Sequence, residues 1–346
     1  MDKMEFVYGS EKRFDEYVLG LKGKKVALVS HTDLDGIASA KVVDEAINPE
    51  FLKFVNYGDL NSKLVGELKR AKVNRVIFTD LMLREQSFIT DIEKFSEILV
   101  IDHHPSENDF NSKKTVFMNS QDNCGAYLSY YLFSKAKKLE KLDWLVACAC
   151  LADFFYFKNR EFMTKTYEKY GDKFEFKGEF VKMDGKFWEF QYDLSLAISY
   201  YLGKEMDLYS RLPEKFGELG GLESAVEEVR KDLNNAKKRF DKEKQVIGDN
   251  YFWEVESKYP VKSLIVNELS KKILDKTLIF AKQDGENYFI SIRRQDGKVD
   301  VGKYLGKLVE GLEGSNAGGH FKAGGGQILY KDKEEFLKRL RGSASK

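Results

Sequence analysis

Cysteine is scarce in this 346-residue chain: Cys124, Cys148 and Cys150 provide neither a disulfide framework nor a zinc-type spacing. On a helix Cys148 and Cys150 point to nearly opposite sides, so they are expected as buried apolar packing and not as joint metal ligands. Net charge is missing as well. Lysine plus arginine (57) and aspartate plus glutamate (56) balance to +1, which excludes a uniformly basic DNA-coating surface and makes any nucleic-acid site local. No apolar stretch has the length of a membrane span, the longest running from Trp144 to Ala152, and the opening MDKMEFVYGSEKRF has no signal-peptide core. The expectation is a cytoplasmic protein with no membrane association.

What is present describes a folded protein of more than one domain. Apolar residues (42%) and charged residues (33%) suit buried cores under a highly charged surface, and the length exceeds one average domain. The first 150 residues alternate β-rich runs with helix-length segments: KVALVS at 25–30, LKFVNY at 52–57, RVIFTD at 75–80 and EILVID at 97–102. Strands so apolar are covered on both faces, which predicts a parallel sheet in an α/β domain. Between about 155 and 200 the order gives way to aromatic and basic residues, including Tyr167, Tyr170, Phe174, Phe176, Phe187 and Trp188. Near-alternating aromatics predict a small β-rich core there, the other reading being a stacking surface for bases. Leu222, Val226, Val229, Leu233, Ala236, Phe240 and Ile247 then recur at three-to-four spacing, which predicts one long amphipathic linker helix. Beyond Tyr259-Pro260 a smaller α/β domain is expected. Its strands are VKSLIVN, KTLIFAKQ, NYFISIRR and QILY, with a helix at 302–312 and a glycine-rich loop, SNAGGHFKAGGG. The expected division is a domain at 1–221 with an insert at about 155–200, a linker helix at 222–250 and a second domain at 251–346.

The chemistry-bearing residues gather at strand ends. HTDLDG at 31–36 follows the first apolar strand; alternate residues of an extended chain share a face, so His31, Asp33 and Asp35 converge before Gly36 turns into a helix. Three ligand-type groups on one face repel one another and resist burial unless cations neutralise them. Asp80 ends the third strand, Asp102, His103 and His104 end the fourth, and Asp153 follows the apolar helix around Trp144 to Leu151. In an open parallel sheet the carboxyl ends of the strands form the ligand crevice. All four histidines, His31, His103, His104 and His320, lie in these strings or in the glycine-rich loop. Carboxylate and imidazole donors without thiolate suit manganese, iron or zinc better than calcium. Four acids with two histidines exceed the needs of one ion and match a pair about 3.5 to 4 Å apart that shares a carboxylate. Metal-assisted hydrolysis of a phosphoester is the expected chemistry. In the second domain Gly318, Gly319 and His320 suit a phosphate cradle, because glycines expose backbone amides and a histidine donates to an oxyanion. Arg293 is expected to grip a second phosphate or stack on a base, whereas Arg294 points to the other side of the strand, into solvent.

HTDLDG at 31–36, Asp80, VIDHHP at 100–105 and Asp153 resemble, in order and spacing, the four motifs of the DHH phosphoesterase superfamily. Arg293, VDVGKYL at 299–305 and GGHFKAGGG at 318–326 look like the DHH-associated domain that follows in RecJ-like nucleases and nanoRNases. The resemblance covers both ends of the chain and not 155–255. It implies His31 and Asp33 on one divalent ion, Asp35, His103 and Asp153 on a second, and Asp80 bridging the two. It also implies that Asp102 orients a histidine through its other ring nitrogen and that His104 serves the scissile phosphate or the leaving group. Manganese is the implied metal, with magnesium and cobalt as alternatives. The glycine loop reads AGGH where the family more often has four glycines before the histidine, and Ala317 still permits close backbone approach. The implied function is an exonuclease or oligonucleotidase that holds single-stranded or short RNA or DNA ends between two domains and releases nucleoside monophosphates. Alternatives are a small-molecule phosphoesterase acting on a cyclic dinucleotide or 3',5'-bisphosphoadenosine and, in another class, a replication-associated scaffold working through replication or repair proteins. Pyrophosphatase relatives carry a different second domain without the GGH string, which argues against that activity.

Overall fold

The apolar runs of the N-terminal half become β1 (Val26–His31), β2 (Phe51–Val55), β3 (Arg75–Thr79) and β4 (Glu97–Asp102), joined by a fifth strand, β5 (Thr115–Asn119). All five pair in parallel, in the order β2-β1-β3-β4-β5. This computed structural model describes residues 4–343 except Glu179, His320 and the side chain of Phe180. α1 (Glu11–Leu19) precedes the sheet, and α2 (Leu34–Ile47), α3 (Ser62–Arg70) and α4 (Gln86–Glu93) connect the first four strands. From β1 the chain moves to one side for β2 and to the other for β3. The carboxyl ends of β1 and β3 therefore flank the switch point where open α/β sheets bind ligands.

Both faces of the sheet are covered, as runs of uninterrupted apolar residues require. On one face Leu64, Leu68, Phe88, Ile89 and Ile92 of α3 and α4 pack with Val76, Phe78, Ile98 and Val100. The rest of the core includes α5 (Gly125–Phe133), buried at every residue, and α6 (Asp143–Ala152), buried from Asp143 to Leu151. A helix apolar on all sides belongs inside a core, and Cys124, Cys148 and Cys150 are buried there as free thiols. No helix among the described residues is long and apolar enough to cross a membrane.

The aromatic segment departs from the expected β-rich core. Its strands β6 (Phe176–Lys177) and β7 (Phe180–Val181) form only a minimal hairpin, while α7 (Arg160–Lys169) and α8 (Lys186–Tyr200) carry most of the segment. Phe187, Phe190 and Leu194 are buried at helical spacing, and Phe187 stacks on Tyr167 and on Phe216 at centroid distances of 4.2 Å. These rings are interior packing and not a surface for bases. α9 (Glu205–Tyr209) follows, with the Tyr209 hydroxyl donating to Asp44 Oδ2 at 2.7 Å.

The chain divides into two units, Met1–Val226 and Glu227–Lys346, and α10 (Glu223–Glu243) runs across the division. The expected helix extended to Ile247. It stops at Glu243 because β8 (Gln245–Ile247) turns back onto β9 (Asn250–Glu254), with Gly248 at φ +57, where glycine meets no steric penalty. The string VKSLIVN is not a strand either. It forms α11 (Lys262–Ser270), in which Lys262, Ile265 and Val266 are buried, at helical rather than alternating spacing. β10 (Thr277–Asp284), β11 (Asn287–Arg293), β12 (Asn316–Gly319) and β13 (Ala323–Leu329) complete the second sheet, ordered β12-β13-β11-β10-β9-β8. α12 (Val301–Val309) and α13 (Lys333–Ser343) bury Leu305, Leu308 and Phe336 with Ile279, Ile290 and Ile292 of β10 and β11.

Candidate metal centre

The turn after β1 places two carboxylates for local reasons. Asp33 caps α2, its Oδ1 accepting the Gly36 N–H at 2.9 Å. Asp35, in the first turn of α2, is fully buried and accepts the Gly125 N–H at 2.7 Å and the Ala126 N–H at 2.8 Å. Those amides open α5, where the positive end of the helix favours a carboxylate. Only glycine allows this approach without displacement: a Cβ on Gly125 would lie 3.0 Å from the Asp80 Cβ and 3.2 Å from Asp35 Oδ2.

Asp80 leaves β3 at φ +55, a conformation that Asp tolerates better than most residues. Its oxygens face two histidines: Oδ1 lies 3.2 Å from His103 Nε2 and Oδ2 lies 3.7 Å from His31 Nδ1. His31 Nδ1 is also 3.0 Å from Asp33 Oδ2, and His103 Nε2 is 3.4 Å from Asp153 Oδ2 and 3.7 Å from Asp35 Oδ2. The donors form three groups whose atoms lie within 4.8 Å of one another: His31, Asp33 and Asp80; Asp35, His103 and Asp153; Asp80, His103 and His104. Every metal-ligand candidate of the sequence is therefore in one place.

Electrostatics fit cations at this place. Burial first, and then the Asp80 charge, pushes the Asp35 carboxyl up to about 7; burial and then Asp33 do the same to Asp80. Burial opposes a charged His31, but Asp33 and Asp80 together outweigh it and raise the imidazole to about 11. Both ring nitrogens of His103 and Nδ1 of His31 are buried and lack a well-directed hydrogen bond, in spite of the short distances to carboxylates. Carboxyls such as Asp35 and Asp80, raised by burial and mutual repulsion, beside imidazole nitrogens without proper partners, are the donor set that divalent ions complete.

His104 is held differently. Its Nδ1 lies 2.7 Å from Asp102 Oδ1 and its Nε2 3.1 Å from the Tyr57 hydroxyl. Burial disfavours its charge, yet the bond to Asp102 and that carboxylate's charge prevail and raise it to about 9. Asn119 Nδ2 donates to the Asp102 carbonyl at 3.1 Å and the His104 carbonyl at 2.9 Å, fixing the end of β4. Tyr57 follows β2 and stacks its ring on His31 at 4.7 Å. Tyr57, Asn119, Gly125 and Ala126 escaped sequence reasoning, because none has a ligand-type side chain; the place of Tyr57 at the end of an apolar run was the one available signal.

In the second unit Arg293 ends β11, with Nε donating to Asn267 Oδ1 at 2.7 Å and Nη1 to the carbonyls of Ile292 and Gly324 at 2.8 Å. Arg293 stands opposite Ala323, and Gly319 opposite Gly324, so the arginine and the exposed Gly318 and Gly319 flank one end of β13. His320 lies outside the described residues. Arg294, expected in solvent, is buried: Nε and Nη2 donate to Asp296 Oδ1 at 2.8 Å and Oδ2 at 2.9 Å, and Nη1 to Thr277 Oγ1 at 3.2 Å. The bidentate pair supplies the countercharge that burial of a guanidinium needs.

Solved structures of similar fold include exonucleases and a phosphodiesterase. RecJ from Thermus thermophilus in complex with Mn2+ matches at a TM-score of 0.71 and 13% identity, over 99% of this chain and 56% of that one. The chain thus spans little more than half of that relative's length. A structure of exonuclease RecJ bound to manganese matches at 0.69 and 13% identity, over 98% and 95%. A pGpG-specific phosphodiesterase from Vibrio cholerae matches at 0.52 and 15%, over 93% and 99%. At such identities the likeness is one of fold. No curated protein sequence matches the chain. The DHH family N-terminal domain model matches residues 25–154, with β1, β3, β4 and Asp153, and the DHHA1 domain model matches 259–346, with Arg293 and the glycine strand. The chain belongs to the DHH phosphoesterase superfamily and carries a C-terminal DHHA1 domain.

Proposed function

We propose that the chain is a two-metal phosphodiesterase that shortens single-stranded or very short RNA or DNA from an end and releases nucleoside monophosphates. The observation that carries this reading is the Asp80 carboxylate, one oxygen facing His103 and the other His31, between the Asp35–Asp153 side and the Asp33 side of the cluster. His31 and Asp33 would hold one ion, Asp35, His103 and Asp153 the other, and Asp80 both, with manganese the metal proposed. When bound, the pair supplies charge neutralisation at the phosphoryl oxygens and an acidified water. A water oxygen bonds to phosphorus as the bond to the leaving sugar oxygen breaks. His104, whose Nδ1 lies 2.7 Å from Asp102 Oδ1, would give its Nε2 proton to that oxygen. In this reading the second unit binds substrate, with Arg293, Gly318, Gly319 and His320 on a neighbouring phosphate.

A second reading, hydrolysis of a dinucleotide or similar small phosphoester, draws support from the fold likeness to the pGpG-specific phosphodiesterase along 99% of its length. End-labelled RNA and DNA strands of graded length, from dinucleotide upward, digested with manganese and resolved to the nucleotide, decide between the two. A ladder of successive single-nucleotide losses is the expected result. Turnover of dinucleotides alone would favour the second reading, and no turnover of any length would overturn both.

A further inference from the structure

We infer that the amino-terminal end of α11, with Lys262, is a second phosphate subsite, one nucleotide further along the retained strand than the subsite of Arg293, so that the protein favours strands offering three consecutive phosphates. The inference rests on the nucleic-acid reading above and concerns the second unit alone. Ile290 and Ile292 of β11 belong to the core with α12 and α13, so alternation turns Phe289, Ser291 and Arg293 to the opposite face of the sheet. α11 lies on that face: Ser263 Oγ is 3.2 Å from Ser291 Oγ, and Asn267 Oδ1 accepts from Arg293 Nε at 2.7 Å. The helix thus runs alongside β11, its first turn beside Ser291 and its next beside Arg293.

The start of α11 lacks the groups that usually complete a helix end. Its cap residue, Val261, offers no side-chain acceptor, and its first turn holds no acid. The first N–H groups of a helix have no partner within it and favour an anion. Lys262, the first residue of the helix, adds a charge there: it is only 9% exposed, and among the described residues no hydrogen bond or ion pair serves its ammonium. Burial, then Arg293 and then Lys282 lower it to about 7, with no carboxylate to offset them. Lys282 is engaged by the carbonyls of Ser257 at 2.8 Å and Tyr259 at 3.0 Å, and Arg293 by those of Ile292 and Gly324. Lys262 is the cation of the three without a counterpart. A buried unpaired ammonium is costly, and an anion drawn to it removes that cost. In the Ser263–Ser291 pair one hydroxyl donates to the other, which leaves a second hydrogen for an anion oxygen. The surface beside the pair is bare backbone: Gly325 stands opposite Ser291 on β13, and a Cβ there would meet only the Ile290 carbonyl, at 3.5 Å. Ser291 and Arg293 are two strand residues apart, about 6.6 Å, a step of the size between neighbouring phosphates of an extended single strand.

The test measures kcat/KM in manganese for phosphorylated oligonucleotides of two to five residues, with phosphates counted along the retained strand from the cleaved bond as the first. The length that first supplies a third phosphate should raise kcat/KM by about tenfold to a hundredfold, the range of one charge-assisted contact, chiefly through KM. Lys262→Met, which fills the same space without charge, should bring that ratio towards one with metal content unchanged. Replacing the third phosphate by an uncharged methylphosphonate should cost the wild type as much as Lys262→Met does and cost the variant nothing further. The methylphosphonate comparison in the wild type decides the matter if the variant does not fold. A ratio near one in the wild type, or a ratio that either change leaves intact, overturns the subsite and leaves the phosphodiesterase reading standing. Failure of the wild type to cleave anything longer than a dinucleotide overturns the strand-shortening reading and the subsite with it.

Discussion

Replacing Asp80 by asparagine separates what this carboxylate does to the fold from what it does for the chemistry. Asparagine keeps the side-chain shape and tolerates φ +55, so the perturbation is the loss of one charge. Burial, and next the Asp33 carboxylate, raise the Asp80 carboxyl from 3.8 to about 7. At about 1.4 kcal/mol per pH unit, ionising it in the metal-free fold costs at most about 4 kcal/mol. The amide must itself be desolvated at about 1–3 kcal/mol, which leaves a net gain on the order of 1–3 kcal/mol for the variant. In a unit of this size that is roughly 2–10 °C in Tm. The sign comes from linkage: an acid whose folded pKa lies above its unfolded one contributes stability fully present below 3.8 and lost as pH rises to about 7. In a chelator the variant should therefore melt above the wild type at about pH 8, and the gain should shrink towards about pH 4, as followed by circular dichroism. With manganese restored, turnover should fall by more than about a hundredfold, beyond the loss typical of an outer-shell partner. An equal or lower Tm at alkaline pH, or a gain independent of pH, refutes the idea that carboxylate repulsion loads the metal-free fold.

Tyr57→Phe removes from His104 a hydrogen bond worth about 0.5–1.5 kcal/mol, so kcat should fall by up to about tenfold with metal content intact; lost metal would assign the tyrosine to His31 instead. His103→Ala should empty one metal position, whereas His104→Ala should lower turnover and leave occupancy alone, and elemental analysis showing equal loss would undo that division of roles. Arg293→Ala should raise KM for an oligonucleotide by about one to two powers of ten, for a lost charge-assisted contact of about 1.5–3 kcal/mol, and spare a small generic phosphoester. Equal losses on both substrates would remove Arg293 from phosphate binding.

The candidate ligand cluster was legible because its members, except Asp153 at the end of α6, sit in short strings at the ends of apolar strands, and a parallel sheet brings all such ends to one edge. His31, Asp33, Asp35, Asp80, His103 and Asp153 needed no knowledge of strand order to be picked out. Tyr57 did: only when β2 lies beside β1 does the second residue after β2 reach His31 and His104. The amides of Gly125 and Ala126 carry no side-chain signal at all, and their service to Asp35 depends on where α5 starts. VKSLIVN misled because β-branched residues fit either a strand or a helix packed on a sheet, and the burial of Lys262, Ile265 and Val266 decides for the helix. Arg294 misled because alternation along a strand says which side a residue faces and nothing of the Asp296 that awaits it.

α6 has a mechanical consequence. Asp143, its first residue, is clamped by Lys169 Nζ at 2.6 Å and by the Tyr170 hydroxyl at 2.8 Å, and its far end is capped by Asp153. The helix from Asp143 to Ala152 is ten residues, about 15 Å of rod, buried on every side down to Leu151 and therefore unable to bend or slide independently of its surroundings. The aromatic insert thus acts on the rod as a set screw. Loosening it at Lys169 or Tyr170 is expected to shift the seat of Asp153 along the helix axis and, in the two-metal reading proposed above, to alter the grip on one ion.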